Sequence, residues 1–329
     1  MDKYSQLIEY LQGHDAFKGK ILENEPMAPK TTFKIGGTAR LFIAPENYIS
    51  FQFTLSYIVK ENIKFFILGG GSNIVFTDGQ YDGVVLSTQE FNDAEIFPFG
   101  DIPQDFGKFT FAKNQILVTC FSGTPMATLV NFCTKNDISG MEQFAGLPGT
   151  VGGAVFMNAR CFDKSISDVI FYTTHMDYST PEVTLHHTLF DSSKWDYKVS
   201  PFQNSKSFIT TVTFLLTKKW GGEQLSIAKE CKKYIAERVD KGHFKFPSAG
   251  SVFKNNHEFG KPSGKIIDEA GLKGYTFGGA KIADFHGNFI INTGNAKATD
   301  IKELVSHTQK IVNEKFGFLL EPEIIFVDN

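Results

Sequence analysis

The most informative stretch of the chain is FFILGGGSN, at residues 65–73. Four apolar residues predict a short buried β-strand, and the three glycines after it permit backbone conformations and close approaches that a side chain would block. Consecutive amides in such a loop can form a concave anion site, so the loop is either a phosphate cradle or a tight turn. It is not a Walker A loop, because no Gly-Lys-Ser/Thr follows, and Ile74 occupies the last glycine position of the dinucleotide fingerprint.

A second glycine-rich stretch, GLPGTVGG, lies at residues 146–153. It also follows an apolar segment, and it also fails both nucleotide-binding patterns. Two different glycine loops suit an extended ligand with linked phosphate groups better than a mononucleotide. The two stretches together therefore predict a site for an extended phosphate ligand.

Outside these loops, the pattern of apolar residues mixes helices and strands. Helical spacing predicts helices close to residues 4–11, 46–61, 126–133, 225–239 and 301–312. Strands are predicted at 31–35, 40–44, 65–68, 84–86 and 116–118, within 169–217, and at 321–327. This order favours an α+β fold over a regular βαβ alternation.

Several residues predict where helices begin and end. Thr124 is a candidate N-cap with Pro125 at the first helical position, and Thr299 or Asp300 is expected to cap the last helix. Gly317 is expected to end that helix.

The composition argues against several classes of protein. The chain has 329 residues, with 33 Lys+Arg against 36 Asp+Glu, and its formal charge of −3 gives no basic bias towards nucleic acid. Its only arginines are Arg40, Arg160 and Arg238, so chemistry that needs a planar, two-pronged cation has few candidates. The four cysteines stand far apart and the histidines lack ligand spacing, so we expect neither a disulfide framework nor a metal site.

The first residues and the apolar runs of the chain indicate its expected cellular location. Residues 1–7 are charged and polar, and no apolar run approaches the roughly 18 residues of a membrane span. We therefore expect a soluble, cytoplasmic protein that acts on a small molecule, without a nucleic-acid or membrane partner.

Two further stretches contain residue types suited to acid–base chemistry. Small neighbours within residues 247–255 leave the Ser251 hydroxyl accessible, although a serine in a glycine turn can equally cap the backbone. Ser251 and Lys254 match the S-x-x-K of penicillin-recognising acyl enzymes, but the S-D-N and K-T-G motifs of those enzymes are absent. Glu321 and Glu323 would share one face of a strand, either as paired carboxylates or as a solvated edge.

Taken together, these stretches resemble the UDP-N-acetylenolpyruvoylglucosamine reductase family, flavoenzymes of peptidoglycan precursor synthesis. The matching blocks follow the family's order along nearly the whole chain, at residues 31–37, 68–73, 140–142, 146–153, 247–255, 264–274, 288–292 and 320–323. The resemblance implies an α+β fold with an FAD-binding domain of the vanillyl-alcohol-oxidase-like (PCMH) type, in two subdomains, and a C-terminal α+β substrate domain. It implies FAD, NADPH as the hydride donor, and reduction of UDP-N-acetylglucosamine enolpyruvate to UDP-N-acetylmuramate.

The resemblance and the composition together set the expected organisation. We expect a helical lead-in at 1–30, the FAD-binding domain at 31–219 and the substrate domain at 220–329, with a boundary at Trp220-Gly221-Gly222. Because the chain lacks a convincing His or Cys attachment motif, we expect FAD to be held non-covalently. A monomer is expected.

The resemblance also implies roles for individual residues. Ser251 is the expected proton donor and Glu323 the catalytic glutamate, while Asn255 and Tyr197 are expected to bind substrate. The residues expected to bind FAD all belong to the glycine-containing blocks: Gly36, Gly37, Gly69, Gly70, Gly71, Ser72, Asn73, Gly146, Pro148, Gly149, Gly152 and Gly153.

The sequence departs from the family at one catalytic position. Where the family has arginine in a Tyr-Arg-x-Ser motif, this chain has Lys198, which keeps the charge but loses the fork geometry. Arg160, just beyond the second glycine loop, is therefore a candidate for the missing guanidinium, unless it is a surface or FAD-phosphate arginine. Two other functions stay open at this point: a flavin oxidoreductase of the same fold with another substrate, and a catalytically impaired protein that binds flavin or UDP-sugar.

Overall fold

The structure, a computed structural model, describes residues 2–97, 99–219 and 224–329. The α-helices of these residues are α1 (Lys3–Gln12), α2 (Tyr48–Lys60), α3 (Met126–Lys135), α4 (Val151–Phe156), α5 (Gln224–Asp240), α6 (Ser263–Glu269) and α7 (Ala298–Phe316). The strands are β1 (Gly19–Pro26), β2 (Thr38–Pro45), β3 (Phe65–Leu68), β4 (Ile74–Phe76), β5 (Gln80–Ser87), β6 (Ala94–Phe97), β7 (Gln115–Phe121), β8 (Ile138–Ser139), β9 (Arg160–Cys161), β10 (Lys164–Ser165), β11 (Ile170–Asp177), β12 (Thr184–Leu189), β13 (Ser207–Lys218), β14 (Thr276–Phe277), β15 (Ala280–Ile282), β16 (Ile290–Asn292) and β17 (Ile325–Val327). The predicted α+β class is confirmed.

The chain forms two compact units that are each discontinuous in sequence. Unit 1 contains residues 1–21, 43–70 and 84–236, and unit 2 contains residues 22–42, 71–83 and 237–329. The predicted domains, in contrast, are continuous. The predicted boundary at Trp220-Gly221-Gly222 lies outside the described residues. The predicted helical lead-in contains β1 as well as α1.

Unit 1 is built on a six-stranded sheet with the order β12-β11-β13-β7-β6, in which β8 also pairs with β13. One face of this sheet buries apolar side chains such as Val118 and Phe214 against the apolar faces of α3 and α4. The other face carries a smaller aromatic cluster around Phe171 and Tyr172. Strand β3 pairs in parallel with β5, and residue 68 lies opposite residue 87.

Unit 2 has its own apolar core. Helix α7 contributes Ile301, Leu304 and Val305, which pack with Val252 and Phe253. Strands β14, β15 and β16 form an antiparallel sheet, and β17 pairs in parallel with β4. Helix α7 ends where predicted, at Gly317, which adopts a left-handed conformation.

The structure corrects the predicted strand at residues 31–35. Phe33 and Ile35 are buried and Lys34 is exposed, which is the alternation of a half-buried strand. Lys34, however, has a φ of 57° and its amide donates to the carbonyl of Thr31, so the segment is a turn.

One predicted helix cap is wrong, and another forms only part of the observed cap. Helix α3 begins at Met126, and the Thr124 hydroxyl instead donates to the carbonyl of Asp93. At the start of α7, the Asp300 carboxylate accepts from the amide of Lys297, so the predicted Asp300 does take part in the cap. The Asp78 carboxylate, about two hundred positions away in sequence, accepts from the next two amides, those of Ala298 and Thr299.

Candidate active site

In unit 1, Gly69 and Gly70 of the first glycine loop meet the second glycine loop backbone to backbone. A Cβ atom added at Gly70 would lie 2.5 Å from the Cα atom of Gly149, and one added at Gly69 would lie 2.7 Å from the Thr150 hydroxyl. Thr150 is in turn the N-cap of α4, where its hydroxyl accepts from the Gly153 amide. Only glycine permits this approach, so the sequence signal at both loops has a packing cause.

The first glycine loop also presents unused donors. Within the described residues, the backbone amides of Gly69 and Gly70 donate to no protein oxygen. Buried or half-buried backbone amides normally have a partner, and amides that lack one suit a ligand oxygen. A loop of this kind, without side chains at Gly69 and Gly70, fits a pyrophosphate.

Other predicted FAD-binding residues lie in unit 2, namely Gly36, Gly37 and residues 71–73. Gly37 is required by packing, since a Cβ atom there would lie 2.0 Å from the Gly79 carbonyl oxygen. Gly71 has a φ of 64°, and its carbonyl accepts from the Thr32 amide. The side-chain amide of Asn73 donates to the Glu323 carbonyl, so part of this residue holds the segment that contains the predicted catalytic glutamate.

Unit 2 brings Ser251 and Glu323 onto neighbouring extended segments. The Glu323 amide donates to the Val252 carbonyl at 2.7 Å, and the Lys254 amide donates to the Glu321 carbonyl at 2.9 Å. On the other side, Ser251 forms an antiparallel bridge with Phe289. The segment from 251 to 254 therefore lies between residues 288–289 and 321–323.

The Lys254 ammonium group is not paired with Ser251 in the S-x-x-K manner. It lies 2.6 Å from the Glu321 carboxylate, and this contact engages the first of the two predicted acids. The other predicted substrate residue of this segment, Asn255, accepts a hydrogen bond from the Ser263 amide at the start of α6.

Two neutral imidazoles lie close to the partner of Ser251. The rings of His243 and His286 have their centroids 4.9 and 4.7 Å from the Phe289 ring. Burial, together with the Arg238 cation, His286 and the Lys241 cation, lowers the pKa of His243 to about 4. Burial also lowers the pKa of His286, and its Nδ1 atom accepts from the Asn288 amide.

The Lys198 loop of unit 1 is anchored to the end of α4. The Ser200 hydroxyl and the Gln203 side chain both donate to the Phe156 carbonyl, and Gln203 also donates to the Lys198 carbonyl. Lys198 has a φ of 60°, and its ammonium group lies 6.0 Å from the centroid of the Tyr197 ring.

Arg160 belongs to the short hairpin formed by β9 and β10. Its guanidinium lies 3.4 Å from the Asp163 carboxylate and 3.4 Å from the Ser165 hydroxyl, both in that hairpin. The structure therefore brings the backbones of the Arg160 and Lys198 regions together through residues 156–158, since Asn158 also donates to the Asp196 carbonyl.

Several site residues were not predicted from the sequence. The clearest is Asn288, whose side chain binds both backbone groups of Phe253. It lies in a block that matched the family, but a contact across 35 positions leaves no local signal.

No group of three or more His, Cys, Asp or Glu side chains in the described ranges is placed to hold a metal ion. No helix in the described part of the chain is both long enough and apolar enough to cross a membrane.

Comparison with known proteins gives consistent matches. Residues 242–327 match the family model for the C-terminal domain of UDP-N-acetylenolpyruvoylglucosamine reductase, and residues 39–180 match a family model for an FAD binding domain. The chain is 40% identical to the UDP-N-acetylenolpyruvoylglucosamine reductase of Treponema denticola over 94% of both chains. It is 38% identical to that of Borreliella burgdorferi, over 93% of this chain and 94% of the relative.

A solved structure agrees with the sequence matches. The UDP-N-acetylenolpyruvylglucosamine reductase of Thermus caldophilus has a TM-score of 0.70 and 27% identity, and the match covers 94% of this chain and 99% of the other. The predicted FAD-binding domain of the vanillyl-alcohol-oxidase-like type is thereby confirmed.

Proposed function

Because the chain belongs to the UDP-N-acetylenolpyruvoylglucosamine reductase family of FAD-containing oxidoreductases, we propose that it reduces UDP-N-acetylglucosamine enolpyruvate with NADPH as the hydride donor. The product is UDP-N-acetylmuramate, a precursor of peptidoglycan. The observation that supports this proposal best is the placement of Ser251 and Glu323 on adjacent segments of unit 2. We further propose that the enzyme is a cytoplasmic monomer.

The residues that would hold the FAD pyrophosphate are those of the glycine loops in unit 1. Gly69 and Gly70 exclude side chains, Gly149 has a φ of 103°, and the amides of Gly69 and Gly70 lack protein acceptors within the described residues. FAD bound there would supply the chemistry of hydride transfer between NADPH and the substrate. The binding is non-covalent in this proposal.

Ser251 is the proposed proton donor. Addition of a hydride to the terminal carbon of the enolpyruvyl group leaves negative charge on the neighbouring carbon and its carboxylate. The O–H bond of Ser251 then breaks, a C–H bond forms at that neighbouring carbon, and the serine oxygen regains a proton from water. A serine hydroxyl is a weak acid, so it needs this strongly basic acceptor and a polar relay.

Glu323 is the proposed partner of Ser251 in this relay. Of the two carboxylates in the Glu-Pro-Glu sequence, Glu321 is engaged by Lys254 at 2.6 Å. The Glu323 backbone is fixed on both sides, by Val252 through its amide and by Asn73 through its carbonyl. Such fixed placement is what a proton-transfer group requires.

A cation is also needed at the developing carboxylate and enolate charge. We propose that Arg160 supplies the guanidinium that is absent at position 198. Its two contacts are long, at 3.4 Å, and its partner Asp163 is almost fully exposed, so the hairpin holds it weakly. Lys198 is the alternative source of the charge. Tyr197 and Asn255 remain the proposed substrate contacts.

The function is tested by following flavin absorbance in the purified protein. NADPH should bleach the absorbance, and UDP-N-acetylglucosamine enolpyruvate should restore it with formation of UDP-N-acetylmuramate. Bleaching without recovery on this substrate would instead indicate a flavin oxidoreductase with another substrate. Absence of bleaching in protein that contains FAD would indicate an impaired binding protein.

A further inference from the structure

The position of the Ser251 hydroxyl depends on the residues that follow it. Gly250, directly before Ser251, has a φ of 74°, and a Cβ atom placed on it would meet nothing within 4 Å. The chain is therefore loosely packed on that side. The restraints on Ser251 come from its bridge with Phe289 and from the hydrogen bonds of residues 252 and 253.

Asn288 forms most of the hydrogen bonds that restrain residues 252 and 253. Its carbonyl accepts from the Val252 amide at 2.9 Å, its side-chain oxygen accepts from the Phe253 amide at 2.8 Å, and its side-chain amide donates to the Phe253 carbonyl at 2.8 Å. The side chain thus pairs with both backbone groups of Phe253, as a neighbouring strand would. Asn288 is itself only 3% exposed, so each of these bonds is shielded from water.

Asn288 is also held from its other side. Its amide donates to the Nδ1 atom of His286 at 3.1 Å. This bond requires an unprotonated Nδ1, which agrees with the lowered pKa of the buried His286. Asn288 is therefore held in place by His286, and it in turn holds the segment that contains Ser251.

We propose that Asn288 is a positioning residue that fixes the Ser251 hydroxyl for proton transfer to the substrate. The inference rests on the proposed role of Ser251. It adds a residue that touches neither substrate nor cofactor in this account, and that acts only through the backbone of residues 252 and 253. Misplacement of a reacting group by about 1 Å costs on the order of a hundredfold in rate.

The test is the Asn288→Ala variant of the FAD-containing enzyme, with the two half-reactions measured separately. We expect bleaching by NADPH to keep its rate, and recovery with UDP-N-acetylglucosamine enolpyruvate to slow by about 10- to 100-fold. The solvent deuterium isotope effect on recovery should rise, because proton transfer becomes more limiting. If the alanine variant fails to fold, Asn288→Asp replaces it in the test. This variant keeps the acceptor for the Phe253 amide but loses the donor to the Phe253 carbonyl, so its recovery should be slower than that of the unsubstituted enzyme.

Asn292→Ala is the matched control. Asn292 is a buried asparagine four positions further on, 5% exposed, and its side chain bonds to the Phe33 carbonyl and to the amides of Gly294 and Ala296. It should lose comparable stability without slowing recovery. Equal slowing in the Asn288 and Asn292 variants would overturn the proposal.

A double variant separates this inference from the proposed function. Ser251→Ala with Asn288→Ala should recover no more slowly than Ser251→Ala alone, because Asn288 acts through Ser251. If the double variant recovers more slowly, by the product of the two single slowing factors, the positioning role would be overturned. Slow recovery in Ser251→Ala with normal recovery in Asn288→Ala would overturn the inference alone, whereas normal recovery in Ser251→Ala would overturn both it and the proposed role of Ser251.

Discussion

The Gly70→Ala substitution tests the description of the FAD cradle. The added Cβ atom would lie 2.5 Å from the Gly149 Cα atom, whereas ordinary contacts of a Cβ atom begin at 3.4 Å. The two loops must therefore move apart by about 0.9 Å, the difference between these distances. Because both contacting groups are backbone, no side-chain rotation relieves the clash.

Overpacking of this kind costs about 1–3 kcal/mol. If the loops separate, their amides leave the positions that suit a pyrophosphate, and the cost appears as lost FAD affinity. This energy corresponds to a dissociation constant raised about 5- to 150-fold. If part of this strain is present before FAD binds, the free energy of unfolding of the apoprotein should be lower by that amount.

The measurement is a fluorescence titration of apoprotein with FAD, together with urea unfolding of the same sample. Gly79→Ala is the control, since a Cβ atom there meets nothing within 4 Å, and it should change neither quantity appreciably. An unchanged FAD affinity together with an unchanged unfolding free energy in Gly70→Ala would refute the backbone contact between the loops.

Three further predictions concern the cofactor, the cation and acid stability. Acid precipitation should release the flavin into the supernatant, and flavin that stays in the pellet would contradict non-covalent binding. Arg160→Lys should lower turnover by about tenfold or more at unchanged FAD content; normal turnover in Arg160→Lys with an inactive Lys198→Ala would assign the role to Lys198. The pKa values of His175 and His243 are lowered to about 4, chiefly by burial, from 6.5 for an exposed histidine. As the pH falls, the unfolded chain therefore binds protons at these residues before the folded chain does. The free energy of unfolding should consequently decrease as the pH drops from 6.5 to 4. Both rings are only partly buried, so solvent screening keeps the loss below about 3 kcal/mol for each residue, and His175→Leu should show a shallower pH dependence in urea unfolding.

Local patterns in the sequence predict much of the fold. The strand at 65–68, the helix at 48–60 and the stop at Gly317 follow from apolar spacing and from the left-handed conformation that glycine favours. The two glycine loops are recognisable for the same reason, because close packing at Gly70 and at Gly152 admits no side chain.

Tertiary contacts decide the features that the sequence did not predict. The alternation at residues 33–35 is real, but the left-handed conformation of Lys34 prevents a strand. The cap of α7 includes Asp78 as well as the predicted Asp300, and the residue that holds Phe253 is Asn288; Asp78 and Asn288 are both far away in sequence from the groups they bind. Adjacency of Ser251 and Glu323 could be inferred only through the family resemblance, because no local pattern links these segments.

The rate of each half-reaction in Ser251→Ala tests the central claim most directly. Ser248→Ala is the control, because Ser248 lies three positions earlier and its hydroxyl accepts only a long bond, 3.5 Å, from the Gly250 amide. In rapid-mixing experiments, we predict that Ser251→Ala is bleached by NADPH at the normal rate but recovers much more slowly with UDP-N-acetylglucosamine enolpyruvate, while Ser248→Ala is normal in both. Equal slowing of bleaching and recovery in Ser251→Ala, or normal recovery, would contradict the assignment of Ser251 as the proton donor of this reductase.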